Sequence, residues 1–272
     1  MQKFSYHSHT SFNNIFDGRN TADEMLAAYE KKGFTEVGIS NHCFCHPTLN
    51  PPSFPQFFYD VDKFLDVYKV SFDYIDEAAS KHNIKVIKGL EVDYFPSAKW
   101  NKIFERIIKE LKPEYLIGST HFIRTADESF MCNIYQLDSL PSLSTEEKNE
   151  LLRNYWINVE HSIKSGYFDF IAHPDYCCQF DLAITAEWNE TKYRVIDAFY
   201  STKTPCEINT GGIERIKRPF PDWWIVQELI NRNVPLLISD DAHTTDAVGR
   251  HFDEVEKKLT EMGCENRFSF NK

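Results

Sequence analysis

No run of apolar residues in this sequence approaches the roughly 20 that a membrane-spanning helix needs. The opening residues, MQKFSYHSHT, turn polar within a few positions, so no secretory signal is read there. With neither span nor signal, the expectation is a cytoplasmic protein without a membrane partner. Basic runs are also missing. The 41 acidic residues outnumber 30 Lys and Arg, for a net charge of −11, which argues against a nucleic-acid partner. The seven cysteines are odd in number and lack zinc-finger spacing. Cys43 and Cys45 beside His46 could hold a metal, or they could be reduced loop thiols. No fixed-period repeat, low-complexity tract or Gly/Ser linker divides the chain, and residues 1–272 are read as one domain. Hydrophobic residues make up 42%, which excludes wholesale disorder.

What is present is alternation. Short β-prone runs that are mostly apolar and end in polar residues occur at 4–9, 36–42, 85–92, 115–122, 168–173, 206–210 and 235–241. Between them lie helical patterns. Thr21 with Glu24 reads as a capping box opening a helix to about residue 32, and Ser144 with Glu147 reads as a second one. Val61, Phe64, Leu65, Tyr68, Phe72 and Ile75 mark one face of a long helix. Ala247, Val248, Phe252, Val255, Leu259 and Met262 form the face of the last. Seven strands alternating with helices suggest a closed β/α barrel or an open doubly wound sheet. Residues 43–59, rich in proline and aromatics, form either a rim loop of an active site or a surface excursion.

Ten histidines are present, and six fall at polar strand ends: His7, His9, His42, His121, His173 and His243. Asp17, Glu91 and Asp241 accompany them. A single histidine at a strand end is more often a hydrogen-bonded core or surface residue than a ligand; six, with three matching acids, reverse that reading. Residues two apart on a strand point to the same side, so His7 and His9 can grip one ion together, and Asp241 and His243 can grip one ion or two neighbouring ones. Parallel strands end at one face, where ligands distant in sequence converge. Imidazole with carboxylate suits zinc, iron or manganese.

HSHT (7–10 with its His pair), SNH at 40–42, GLE at 89–91, GSTH at 118–121, AHPD at 172–175 and SDDAH at 239–243 occur in an order that resembles the PHP (polymerase and histidinol phosphatase) family along nearly the whole chain. Asp17 and the EINTGG segment at 207–212 are most similar to its histidinol-phosphatase branch. The resemblance implies a distorted seven-stranded (β/α)7 barrel, TIM-like, with its site at the C-terminal strand ends. It implies a trinuclear centre: His7, His9, Glu91 and Asp241 around the first ion; Asp17, His42 and His243 around the second; and Glu91 bridging to a third completed by His121 and His173. Two positions depart from the family pattern. Asn41 stands where Asp is frequent, and Asp240 where Ser is common.

The function this implies is hydrolysis of a small phosphate monoester, histidinol phosphate above all, by a hydroxide held between two of two to three divalent ions (Zn, Mn or Fe), with Asp17, Asp241 and His243 at the reacting centre. Three divalent ions set against three carboxylates and a hydroxide leave a net charge of about +2, matched to a monoester carrying roughly −1.5 to −2. Asp175 is a candidate proton donor or, preferably, a supporting residue behind the ligands. Arg194, Arg215 and Arg218 are candidates for binding phosphate, or else exposed solubilising residues. Two other functions compete: a phosphodiesterase or nuclease on the same site, and a metal-binding regulator without catalysis.

Overall fold

The structure is a computed structural model that describes residues 2–13, 15–45, 60–124, 131–134, 137, 143–179 and 189–270. Most of the proline-rich 43–59 segment and His46 lie outside these residues. Among the described residues there are ten strands: β1 (Phe4–Ser5), β2 (Glu36–Ile39), β3 (His42–Cys43), β4 (Lys85–Asp93), β5 (Tyr115–Ser119), β6 (Phe122–Arg124), β7 (Met131–Asn133), β8 (Phe170–Ile171), β9 (Cys206–Asn209) and β10 (Leu236–Ser239). Seven of them run in the order β1-β2-β4-β5-β8-β9-β10, every neighbouring pair parallel, and β3 joins the upper part of β4 with His42 opposite Glu91. The sheet curls into a nearly closed barrel rather than an open doubly wound sheet. Between its first and last strands lies a single parallel bridge, Ser8 to Ala242.

Side chains replace the missing ladder along this seam. The Gln2 amide donates to the Ile238 carbonyl at 2.6 Å and accepts from the Ile238 N–H at 3.2 Å. The buried Asp240 carboxylate accepts from Ser5 Oγ (2.7 Å), Tyr29 OH (2.9 Å) and the Gly249 N–H (2.6 Å). It thereby ties strand β1, helix α1 (Ala22–Lys31) and the loop after β10 into one knot. Asn41, the other departure, accepts from the Thr10 N–H and donates to its hydroxyl, fastening the end of β2 to the loop after β1.

Alternation decides which residues face inward. Val37, Ile39, Ile208, Leu236 and Ile238 pack outward against the helices in the main core. Tyr6, Ile87, Tyr115, Ile117, Phe170, Ala172 and Leu237 fill the barrel interior as a separate apolar plug. Tyr115 sits over Gly38 and Gly89, where any Cβ would come within 2.4 Å of its side chain, and its hydroxyl donates to the Tyr6 carbonyl. Above this plug the inward positions turn polar: Glu91, Asp93, Ser119, Glu207, Asn209 and Ser239 are all buried.

The helical shell follows the sequence closely. Both expected capping boxes form, at α1 and at α4 (Thr145–Ser165). Helix α2 (Val61–Ala79) buries Phe64, Leu65, Tyr68, Phe72 and Ile75 as its pattern predicts. Helices α3 (Ala98–Leu111), α5 (Asn189–Thr202), α6 (Gly211–Ile216) and α7 (Trp223–Asn231) complete the ring. The last helix differs from expectation. Residues Thr245–Ala247 form only a short 3-10 turn, and α8 begins at Phe252. Gly249 (φ +61°) and His251 (φ +56°) are left-handed, because the Gly249 N–H turns back to Asp240 instead of continuing a helix. The β6–β7 hairpin, which follows the fourth predicted strand, is a further difference. Among the described residues no helix is long and apolar enough to cross a membrane.

Candidate metal centre

Apart from β4, the ladders are shorter than the predicted strands, and most of the candidate ligands lie at or just beyond their ends. His7 and His9 follow β1; Asp241 and His243 follow β10; His121 follows β5 and His173 follows β8. Past the last ladder bond the backbone is free to turn, and at two of these positions it does. His173 (φ +26°) and Asp241 (φ +48°) are both left-handed, a costly conformation for residues with a Cβ. Asp17 comes from a loop that folds back across the seam. That loop is held by Ser11 N–H to the Asn20 carbonyl (2.7 Å) and Arg19 N–H to the His243 carbonyl (2.8 Å). Gly18 lies so near Thr10 that a Cβ would come within 2.4 Å of its backbone, so only glycine lets the loop approach.

All nine predicted ligands converge, and their contacts sort around three carboxylates. Glu91, fully buried, turns Oε2 toward His7 Nε2 (3.2 Å), His9 Nε2 (3.4 Å) and His42 Nδ1 (2.8 Å). Its Oε1 faces His173 Nε2 (3.1 Å) and His121 Nε2 (3.4 Å). Asp241 Oδ1 lies 3.2 Å from His9 Nε2 and 3.5 Å from both His7 Nε2 and His243 Nδ1. Asp17 Oδ2 meets His243 Nε2 at 3.0 Å and His42 Nε2 at 3.1 Å. Four sets of three or more donor atoms lie within 4.8 Å of one another. One of them places His9 with Asp17, His42 and His243, which the partition implied by the resemblance did not do.

The donor set fits divalent ions. His7 Nε2, both nitrogens of His9, His42 Nδ1 and Glu91 Oε2 are buried without a hydrogen-bond partner, a costly state that ligation removes. Burial would lower His7, His42, His121 and His243, but neighbouring carboxylates raise all four above the ordinary histidine value. Burial would raise the Glu91 and Asp241 carboxyls, but the surrounding imidazoles overcome it and hold both well below the usual carboxylate range. Burial and repulsion from His243 and His42 push His9 down to about 4, so that ring is neutral and available as a ligand.

A supporting layer that the sequence reading passed over surrounds the ligands. Glu207, fully buried, lies 2.6 Å from His7 Nδ1 and accepts from the His173 N–H at 3.0 Å. Asp93 lies 2.8 Å from His121 Nδ1 and accepts from the His121 N–H at 2.6 Å. The signal was available: Glu207 with Asn209, and Glu91 with Asp93, obey the same two-residue rule that singled out the histidine pair.

Five of the nine, Asp17, His42, His121, Asp241 and His243, line a cavity of about 550 Å³ together with Phe44, Tyr176, Arg19, Arg215 and Arg250. Arg215 enters it with Nη1 donating to Tyr176 OH at 2.9 Å, and the Tyr176 ring lies tilted beside that of His173, centroids 4.7 Å apart. Arg19 and Arg250 were not anticipated. Two expected arginines lie elsewhere. Arg194, on α5, is bound to Glu160 of α4 at 2.6 Å, outside the cavity lining. Arg218 pairs with Asp175 (2.9 Å) and Asp222 (3.0 Å) and faces a different, smaller cavity. Asp175 is likewise buried behind the ligands, accepting from Arg218 and the Asp222 N–H, and does not line the main cavity. Burial raises its carboxyl, with Arg218 offsetting part of that rise. The buried Cys43 and Cys45 contribute no donor to any of the four ligand sets.

Known proteins resemble this chain. A protein of Thermotoga maritima carrying the name Probable histidinol-phosphatase is 22% identical over 262 residues, 95% of this chain and 92% of that one. A Deinococcus radiodurans protein of the same name is 24% identical over 181 residues, and the match spans 64% of each chain. The solved structure of histidinol phosphate phosphatase from Lactococcus lactis, complexed with Zn, L-histidinol and phosphate, superposes with a TM-score of 0.69 at 17% identity, covering 98% of this chain and 95% of that one. The PHP domain matches residues 5–211, three quarters of the sequence and every candidate ligand but the last two, and the chain belongs to the PHP family.

Proposed function

We propose that this protein is a metal-dependent phosphomonoesterase acting on a small phosphate ester, with histidinol phosphate as the foremost candidate substrate. The observation that carries the proposal is the convergence of six imidazoles and three carboxylates, five of these nine side chains lining a cavity that is also lined by arginines. Divalent ions in such a site lower the pKa of bound water toward ~7 and offset charge gathering on phosphoryl oxygens. The residues of the chain divide the remaining work. His7, His9, Glu91 and Asp241 would hold one ion; Asp17, His42 and His243 a second; Glu91 Oε1, His121 and His173 a third. Arg215, steadied by Tyr176, offers a forked donor to phosphate oxygens from the side of His121 and His173, while Arg19 and Arg250 place positive charge by the seam. These side chains make the mouth locally cationic although the chain carries −11 overall. The names of the Thermotoga and Deinococcus relatives, and the histidinol and phosphate in the Lactococcus structure, support the choice of substrate.

The test is kcat/KM of the metal-loaded protein for histidinol phosphate, a nucleoside monophosphate, a bis-aryl phosphate and a short single-stranded oligonucleotide, with elemental analysis of the same sample. Monoesters should be hydrolysed far faster, and two to three equivalents of Zn, Mn or Fe should be present. A faster diester or oligonucleotide would overturn the monoesterase reading. A faster nucleotide would remove only histidinol phosphate. Less than one equivalent of metal after reconstitution would remove the metal centre.

A further inference from the structure

Glu207 touches two of the ligands directly, and through Asn209 it reaches a third. One oxygen lies 2.6 Å from His7 Nδ1. The other accepts from the His173 N–H at 3.0 Å and from Asn209 Nδ2 at 3.3 Å. Asn209 in turn donates to Asp241 Oδ2 at 3.2 Å and accepts the Gly211 N–H at 2.8 Å. The residues so held are the first ligand after β1, the ligand after β8 and the ligand after β10. Two of the three, His173 and Asp241, are the two candidate ligands with left-handed backbone. Such conformations persist where surrounding contacts over-determine them. At His173 a contact is made to the strained residue's own N–H, and at Asp241 to its carboxylate. The chain also clears space for the network: a Cβ on Gly211 would stand 2.9 Å from Asn209 Oδ1 and 2.6 Å from Arg250 Nη2.

The His7 contact has a chemical consequence. A neutral imidazole carries one proton on one of its two nitrogens. With a carboxylate against Nδ1, the proton sits there, and the lone pair is presented at Nε2, the atom that faces Glu91 and Asp241.

We infer that Glu207 is the positioning residue of the metal centre: it sets the nitrogen that His7 presents and, directly and through Asn209, holds the left-handed ends of β8 and β10 in register with it. This rests on the metal-centre reading above. It assigns Glu207 no contact with substrate.

Glu207→Gln is the sharpest test, because the side chain keeps its shape. Its amide has one accepting oxygen and one donating nitrogen. It cannot accept from both His7 Nδ1–H and the His173 N–H. Zinc affinity, measured by competition with a chromophoric chelator, should fall by about 10- to 100-fold. In zinc-loaded protein labelled with 15N-histidine, the Nδ1–H signature of His7 should change. Glu36→Gln is the control: Glu36 is also buried, but it pairs with Lys85 at the opposite end of the barrel, and its loss should lower stability without moving zinc affinity. Asn209→Ala should weaken zinc binding less than Glu207→Gln and leave the His7 signature intact; it also carries the test if Glu207→Gln does not fold. Unchanged zinc affinity in folded Glu207→Gln, or an equal loss in Glu36→Gln, would overturn the inference, as would unchanged affinity in Asn209→Ala for the coupling to β10. A folded wild-type protein that takes up no zinc would instead mark failure of the metal-centre reading.

Discussion

Replacing Asp240 should unfold the barrel from its seam, and the structure gives the size of the effect. The carboxylate accepts three hydrogen bonds, from Ser5, Tyr29 and Gly249, and both Ser5 and Tyr29 are fully buried. Asp240→Ala leaves three donors without a partner and no room for bulk water to replace it. Each orphaned buried donor costs about 1–3 kcal/mol, but the Ser5 hydroxyl can rotate, so the total is about 3–5 kcal/mol rather than the simple sum. Asp240→Asn behaves differently. Its oxygen still accepts from Ser5 and Tyr29, while its NH2 faces the Gly249 N–H, donor against donor, at a cost of about 1–3 kcal/mol. The assay is urea denaturation followed by tryptophan fluorescence, with equal m-values required before midpoints are compared. The reasoning fails if the alanine variant loses less than about 1 kcal/mol, or if asparagine costs as much as alanine, since only the number of orphaned donors separates the two.

Three further outcomes are expected. His9→Ala or Asp241→Ala should cut turnover by orders of magnitude, whereas His82→Ala and His161→Ala should leave it nearly unchanged; comparable losses in all four would mean that the strand-end rule chose the wrong histidines. Arg215→Ala should lower kcat/KM for a monoester about tenfold, the low end for a charge-assisted hydrogen bond of ~1.5–3 kcal/mol in a partly exposed position, with Arg215→Lys intermediate; an unchanged value removes Arg215 from phosphate binding. His82 bridges Glu30 (2.8 Å) and Asp23 (3.2 Å), and its hydrogen bond to Glu30 raises its pKa. A raised folded-state pKa stabilises below the ordinary histidine value and ceases to do so as pH climbs through the raised one. The urea midpoint of wild type should therefore exceed that of His82→Ala at about pH 5.5 and converge with it near about pH 9; a gap that widens with pH would contradict this.

The barrel and its ligands were legible in the sequence for a simple physical reason. Buried parallel strands must be apolar, so a histidine or acid at or just past the end of such a run stands out, and six of the seven runs supplied eight of the nine, Asp17 following in the loop after the first. The supporting layer was harder to see. Glu207 and Asp93 lie within strands that were recognised, but as carboxylates among 41 acids they carry no compositional signal, and only their inward register distinguishes them. The arginines were least legible. Whether Arg194, Arg215 or Arg218 reaches the cavity depends on local partners, Glu160, Tyr176 and Asp175, that belong to other elements. The start of α8 was misread because apolar spacing continues through Val248 while the backbone turns at Gly249 to satisfy Asp240.

The seam has a consequence for the life of the protein. His7 and His9 sit at one side of it and Asp241 and His243 at the other, with one backbone bridge between the two strands. Ions shared by these residues would act as a removable crosslink joining points some 230 residues apart. Closing so long a loop restricts the unfolded chain by about 5 kcal/mol in the entropic treatment applied to disulfides. Metal supply would then govern how long each molecule survives as well as how fast it turns over. Under metal starvation, protease digestion of the opened first strand should deplete the protein itself, so that total activity falls further than the remaining folded molecules would account for.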